Sequence, residues 1–221
     1  PDALDLLVNN LDLQPICELL YRMFALKEGG DDMMLEWLKK GDFYDKLASQ
    51  LNPFKGPDLH VATYQFVLGL FALPFPDQLP RDRVIFPFLS HSWLIRLLEN
   101  IFVVIEAGSD FSIDFVEESK QSSLINGLSI LTSILEASHD IKKQFAADAF
   151  ISAINDNFET FFDLLQRPCG IELSLTSGRV EAFGRVRLCA AQLFTEILSS
   201  LPETRQCESF VKGFRDVKLV P

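Results

Sequence analysis

Positive charge is scarce in this chain. Lys and Arg number 20 against 31 Asp and Glu, a formal net charge of −11 over 221 residues. A nucleic-acid footprint shows as a basic face, and anionic membrane surfaces recruit basic segments, so the balance argues against both partners. Cysteine is sparse as well. Cys17, Cys169, Cys189 and Cys207 stand far apart with no C-x-x-C pair, and read as reduced core thiols of a reducing compartment. His60, His91 and His139 are equally scattered, which gives a zinc site no local support. The glycines form neither G-x-G-x-x-G nor G-x-x-x-x-G-K-S/T, so no phosphate cradle is expected, and no G-x-S-x-G elbow presents a nucleophile. No leader-like segment opens the chain, and no apolar run is fit to span a bilayer. Val84 to Ile95 is broken by Pro87 and His91, and Gln121 to Leu135 contains Asn126, Ser129, Thr132 and Ser133. Without a Ser/Gly-rich linker, residues 1–221 read as a single domain. Pro1 is not a natural start, so the chain reads as a fragment of something longer.

What is present is apolar and helical in period. Hydrophobic residues make up 48%, and Phe alone contributes 20, against three Tyr and two Trp. Such rings fill the space between packed helices without needing a hydrogen-bond partner. Seven stripes follow a 3.6-residue face. They are Ile16-Leu19-Leu20-Met23-Phe24; Phe43-Tyr44-Leu47-Leu51; Val61-Tyr64-Val67-Leu68-Phe71; Trp93-Leu94-Leu97-Leu98-Ile101-Phe102-Ile105; Leu124-Leu128-Leu131-Ile134-Leu135; Phe150-Ile154-Phe158-Phe161-Phe162-Leu165; and Val186-Cys189-Ala190-Leu193-Phe194-Ile197-Leu198. Only Ile171 to Leu175 alternates like a strand. Leu73 to Phe88, with four prolines, is the longest expected irregular connection, and Asp110 to Glu118 is expected to be an acidic loop.

An irregular repeat runs through the stripes. Gly41 to Leu47, His91 to Leu97 and Asp148 to Ile154 are each expected to open a helix with an aromatic residue. Phe43 to Trp93 is 50 positions and Trp93 to Phe150 is 57. A helix pair with its loops fits that spacing, so the expected fold is all-α, an α-solenoid of armadillo/HEAT-like stacked helical repeats.

Candidate chemistry is thin. Asp31, Asp32 and Glu36 fit the D-D-x-x-x-E pattern of magnesium–diphosphate chemistry in helical isoprenoid enzymes, but the second metal-binding run is missing and helix capping explains the acids. His139-Asp140 has no nucleophile to serve; a helix end with Asp140 capping the next helix accounts for it. No metal or cofactor is expected. The remaining feature is a trio of arginines, Arg179, Arg185 and Arg187, around the start of the last apolar helix. A helix N-terminus disfavours cations by ~0.3–1 kcal/mol each, so these positions answer to something else. One reading pairs them with Glu172 or Glu181; the other has them grip the carboxylates of an acidic partner. Arg185 is the better partner candidate, because Arg187 sits between Val186 and Leu188.

Several blocks together resemble the SAPS family, the Sit4-associated regulatory subunits of protein phosphatase 6-type Ser/Thr phosphatases. These are Leu35-Glu36-Trp37-Leu38 with Phe43 to Leu47; Leu59 to Gln65; Leu98-Glu99-Asn100-Ile101-Phe102; Ser123 to Leu131 with Leu135-Glu136; and Gly184-Arg185-Val186-Arg187-Leu188. The resemblance implies an armadillo-like scaffold, a fragment of a longer SAPS domain, that binds the phosphatase catalytic subunit and directs it to substrates in the cytoplasm or the nucleus, without catalysis of its own. An unrelated HEAT-type adaptor is the alternative within the same class.

Overall fold

The computed structural model describes residues 2–25, 36–38, 40–74, 83–103, 113–138, 143–167, 172–175, 178–181 and 183–200. Nine α-helices lie among them: α1 (Ala3–Val8), α2 (Gln14–Ala25), α3 (Phe43–Ser49), α4 (Pro57–Phe71), α5 (His91–Ile101), α6 (Ile113–Ser138), α7 (Lys143–Asp156), α8 (Phe158–Gln166) and α9 (Arg185–Ser200). A 3₁₀ turn, Phe86–Leu89, precedes α5, and a β-hairpin of β1 (Glu172–Leu175) and β2 (Gly178–Glu181) precedes α9. The fold is therefore helical, as the periodicity demands, with one small antiparallel ribbon beside the helices.

Local chemistry sets the helix starts. Asp2 and Asp5 form a reciprocal capping box on α1. Gly56 and Pro57 open α4, where the missing proline N–H would be unsatisfied anyway. Ser90 caps α5 by accepting from the Trp93 amide at 3.3 Å. Gly184, at φ 79°, turns the chain from β2 into α9 in a conformation that favours glycine.

The helices pack in two rows. In the first, α1 contacts α3, α3 contacts α5 and α5 contacts α7; in the second, α2 contacts α4, α4 contacts α6 and α6 contacts α9. Further contacts of α5 and α7 with α6, and of α7 with α9, tie the rows together. Phe43, Trp93 and Phe150, the aromatic positions of the sequence repeat, lie on α3, α5 and α7 and are all buried. The repeat thus marks successive members of one row. Its third copy sits inside α7, which starts at Lys143, and not at a helix opening as the sequence suggested.

Rings weld the first half together. Phe43 contacts Phe24, Tyr44 and Phe66, while Phe88 meets Tyr44, Phe71 and Trp93 edge-on at 5.0–5.5 Å. The Trp93 indole N–H donates to the Tyr44 carbonyl at 2.8 Å. A second cluster joins Phe102, Phe161 and Phe194 across the end of α5, α8 and α9. Each such contact adds about 0.5–1.5 kcal/mol beyond area burial.

Three stripes sit differently from the sequence expectation, and in α9 the difference is Leu198, which is exposed. In α4 the core face is His60, Thr63, Phe66, Val67 and Leu70, while Val61 points outward. Polar residues occupy that face with part of their hydrogen-bonding capacity met locally, while His60 Nδ1 is buried without a partner among the described residues. His60 Nε2–H donates to the Asn52 carbonyl at 3.0 Å and Thr63 Oγ1 to the Leu59 carbonyl at 2.7 Å. In α2, Leu20 and Phe24 are buried but Leu19 is exposed. Helix α6 begins at Ile113, so the expected acidic loop ends there, and Phe86 to Leu89 is helical instead of irregular. Residues 75–82, 104–112 and 201–221 lie outside the described residues.

Buried serines fasten the loop between α3 and α4 to α6. Ser119 Oγ donates to the Pro53 and Lys55 carbonyls at 2.7 and 2.5 Å, and Ser123 Oγ donates to that of Leu51. His60, in the first turn of α4 beyond that loop, is fully buried, and burial pushes its pKa below the ordinary 6.5. The unfolded chain then takes up a proton near pH 6.5 that the folded chain refuses. The contribution of neutral His60 is therefore complete above that pH and lost as the pH falls below it. We expect the thermal midpoint to drop on going from about pH 7.5 to pH 5.5. In His60→Gln that slope should shrink; an unchanged slope would assign the effect to other groups.

Close approach of α2 to α4, within the second row, relies on Gly69. The Tyr21 hydroxyl donates to the Gln65 and Phe66 carbonyls at 3.3 and 3.1 Å, and its ring lies over Gly69, where an added Cβ would meet the hydroxyl and ring carbons. Gly69→Ala should lower stability by about 1–3 kcal/mol through overpacking, read by chemical denaturation. Tyr21→Ala in the Gly69→Ala background should relieve part of that loss.

Candidate partner-binding surface

The three arginines lie on two different elements. Arg179 is on β2, opposite Ser174 in the hairpin register, and not on the approach to a helix. Glu172 and Glu181, the suggested carboxylate partners, face each other across that same hairpin. Arg185 is the first residue of α9 and is exposed. It makes no ion pair among the described residues. Arg187 is half-buried: its Nε donates to the Phe183 carbonyl, and its guanidinium stands 4.8 Å from the centroid of the Phe183 ring. That arrangement folds Arg187 back over the Gly184 turn and answers one orphan carbonyl while the cation stacks on a π face. Arg187 thus has a local structural employment, while Arg185 is displayed.

Apolar groups surround the displayed cation. Phe183 and Leu188 are 51% and 49% exposed. Arg185 and Leu188 are three apart on α9 and share a face. An exposed guanidinium flanked by large apolar side chains suits a surface that binds acidic groups set among apolar ones.

A second feature of α9 was not singled out in the sequence. Tyr64 of α4, Ser129, Thr132, Ser133 and Glu136 of α6, and Cys189 and Gln192 of α9 line a groove of about 170 Å³. The signal for it was present: positions 129, 132, 133 and 136 make a polar stripe at helical spacing among the apolar residues of the second half of α6.

Of the D-D-x-x-x-E pattern only Glu36 falls within the described residues, and it is exposed; Asp31, Asp32, His139 and Asp140 lie outside them. Among the described residues no three His, Cys, Asp or Glu side chains are grouped to hold a metal ion. No helix among them is long and apolar enough to cross a membrane. Cys17 is half-buried and Cys189 buried, both as free thiols, while Cys169 and Cys207 lie outside the described residues. Cys17 donates to the Leu11 carbonyl at 3.0 Å, and burial raises its pKa, which opposes thiolate chemistry.

Comparison of the chain with family models, curated proteins and solved structures gives no match.

Proposed function

We propose that this chain is a non-catalytic scaffold built from stacked helical pairs of armadillo/HEAT type, and that its partner is the catalytic subunit of a protein phosphatase 6-type Ser/Thr phosphatase. The observation that carries the scaffold reading is the coincidence of the sequence repeat with one packed row. The aromatics at Phe43, Trp93 and Phe150 fall on α3, α5 and α7, which contact one another in succession, while α2, α4, α6 and α9 run in a second row. Successive pairs stacked in this way expose long faces suited to another protein. The choice of a phosphatase rests on the SAPS resemblance of the blocks over Leu35 to Leu188.

Arg185 is assigned to partner contact, with Arg179 beside it on the hairpin and Arg187 supporting the turn. The test is co-purification of an extended chain with a phosphatase 6-type catalytic subunit. Arg185→Glu should lower the affinity about tenfold, or ~1.4 kcal/mol. Its thermal midpoint should stay near that of the parent, because an exposed side chain of this kind carries within about 0.5 kcal/mol of stability. Failure to recover the phosphatase defeats the family reading. An equal loss of stability and binding would make Arg185 structural.

A further inference from the structure

The groove between α4, α6 and α9 has an unusual donor and acceptor balance. Four of its side chains carry a hydroxyl; that of Tyr64 on α4 can donate or accept, and the other three each spend their proton inside α6. Ser129 Oγ donates to the Ile125 carbonyl at 2.7 Å, Thr132 Oγ1 to the Leu128 carbonyl at 3.0 Å, and Ser133 Oγ to the Ser129 carbonyl at 2.9 Å. What they turn toward the groove is lone pairs. The carboxylate of Glu136 adds two acceptor oxygens and the Gln192 amide a third, beside its own two N–H donors, and neither side chain has a hydrogen bond or ion pair among the described residues. Glu136 also stands in the last turn of α6, where helix dipoles sum to roughly half a negative charge and no basic side chain is present to offset it. Hydroxyl acceptors, a carboxylate and a helix C-terminus all favour a cationic donor. A cavity of about 150 Å³ takes one benzene ring, so about 170 Å³ admits a planar guanidinium with part of its stem.

We propose that this groove receives an arginine side chain from a partner polypeptide. The guanidinium supplies five N–H donors in a fixed fork, enough to engage the carboxylate and several hydroxyls together, where an ammonium offers three from a single point. On α9, Gln192 follows Arg185 by one heptad, about 10 Å along the axis, so the same partner segment can set a carboxylate against Arg185 and an arginine in the groove. The inference does not depend on the partner being a phosphatase.

The test is titration of the full, isotope-labelled chain with the blocked peptide acetyl-Ala-Ala-Arg-Ala-Ala-amide, followed by NMR. Saturable binding with a Kd on the order of 1 mM is expected, with shifts centred on Tyr64, Ser129 to Glu136 and Gln192. The citrulline peptide, isosteric but neutral, should bind at least fivefold more weakly, and the lysine peptide more weakly than arginine. Glu136→Gln should weaken arginine binding about fivefold at an unchanged melting temperature, and Thr132→Val should weaken it by a smaller factor. Equal binding of the citrulline peptide, tighter binding of lysine, shifts mapped elsewhere, or no saturation at ten times the expected Kd would each overturn the assignment.

Discussion

Trp93→Ala should destabilise the chain by about 3–5 kcal/mol, the range for removing a buried aromatic from a core. Trp93 is the point where the two rows of interactions in the first half converge. Its ring sits 5.0 Å from Phe88, which in turn abuts Tyr44 and Phe71, and its indole N–H satisfies the Tyr44 carbonyl. Truncation opens a cavity and removes the indole hydrogen bond to α3, two losses that act together. For a chain of this length each kcal/mol moves the midpoint by about 2–4 °C, so a fall of roughly 10 °C is expected by calorimetry. Trp93→Phe separates the two terms: it keeps most of the ring and loses only the N–H, and should lose about 1–2 kcal/mol. A Trp93→Ala loss below 1 kcal/mol would mean that α3, α5 and the 3₁₀ turn are not held through this residue.

The same packing bears on how a partner would be held. Arg185 and the acceptor-lined groove both use α9, and α9 is fixed by α6 through the second row and by Phe194 through the second aromatic cluster. The side chains proposed for recognition therefore stand on a helix whose other face, Cys189, Ala190, Leu193, Phe194 and Ile197, is buried. Binding then needs little ordering of the scaffold, so less of the interaction energy is lost to conformational entropy. The Arg187–Phe183 stack adds to this by pinning the turn that aims Arg185 outward.

How much of this was readable from sequence depends on whether polarity and burial agree. On α5, Trp93, Leu94, Leu97, Leu98 and Ile101 are apolar and buried, and the stripe was legible residue by residue. On α4 they disagree. His60 and Thr63 face the core with a loop carbonyl and a helix carbonyl each accepting a hydrogen bond from them, and no periodicity of apolar residues reveals that. The buried Ser119, Ser123 and Asn126 of α6 hid the true breadth of its packed face for the same reason. The strand Glu172–Leu175 was visible as alternation, but its partner Gly178–Glu181 was masked by the arginine and glycine that seemed to lead into the helix. The groove was hidden differently: its lining comes from three helices that only the tertiary fold brings together, although the stripe on α6 was in plain view.

Phe161→Ala should also lower stability by about 3–5 kcal/mol, but with a different geography. Phe161 is fully buried on α8 and contacts Phe102 at 5.1 Å and Phe194 at 5.6 Å. It makes no ring contact with the cluster around Phe43 and Phe88 among the described residues. In a stack where each unit contacts chiefly its neighbours, stability is close to a sum of unit and interface terms, and damage at one end stays near that end. Amide hydrogen exchange on Phe161→Ala should therefore show lost protection across α7, α8 and α9, with α1 to α4 near their parental values, whereas Trp93→Ala should loosen both halves. The arginine-peptide affinity of the groove should fall with Phe161→Ala, since α9 forms one wall. Uniform loss of protection along the whole chain would instead describe one undivided cooperative core, and the stacked-pair reading would fail with it.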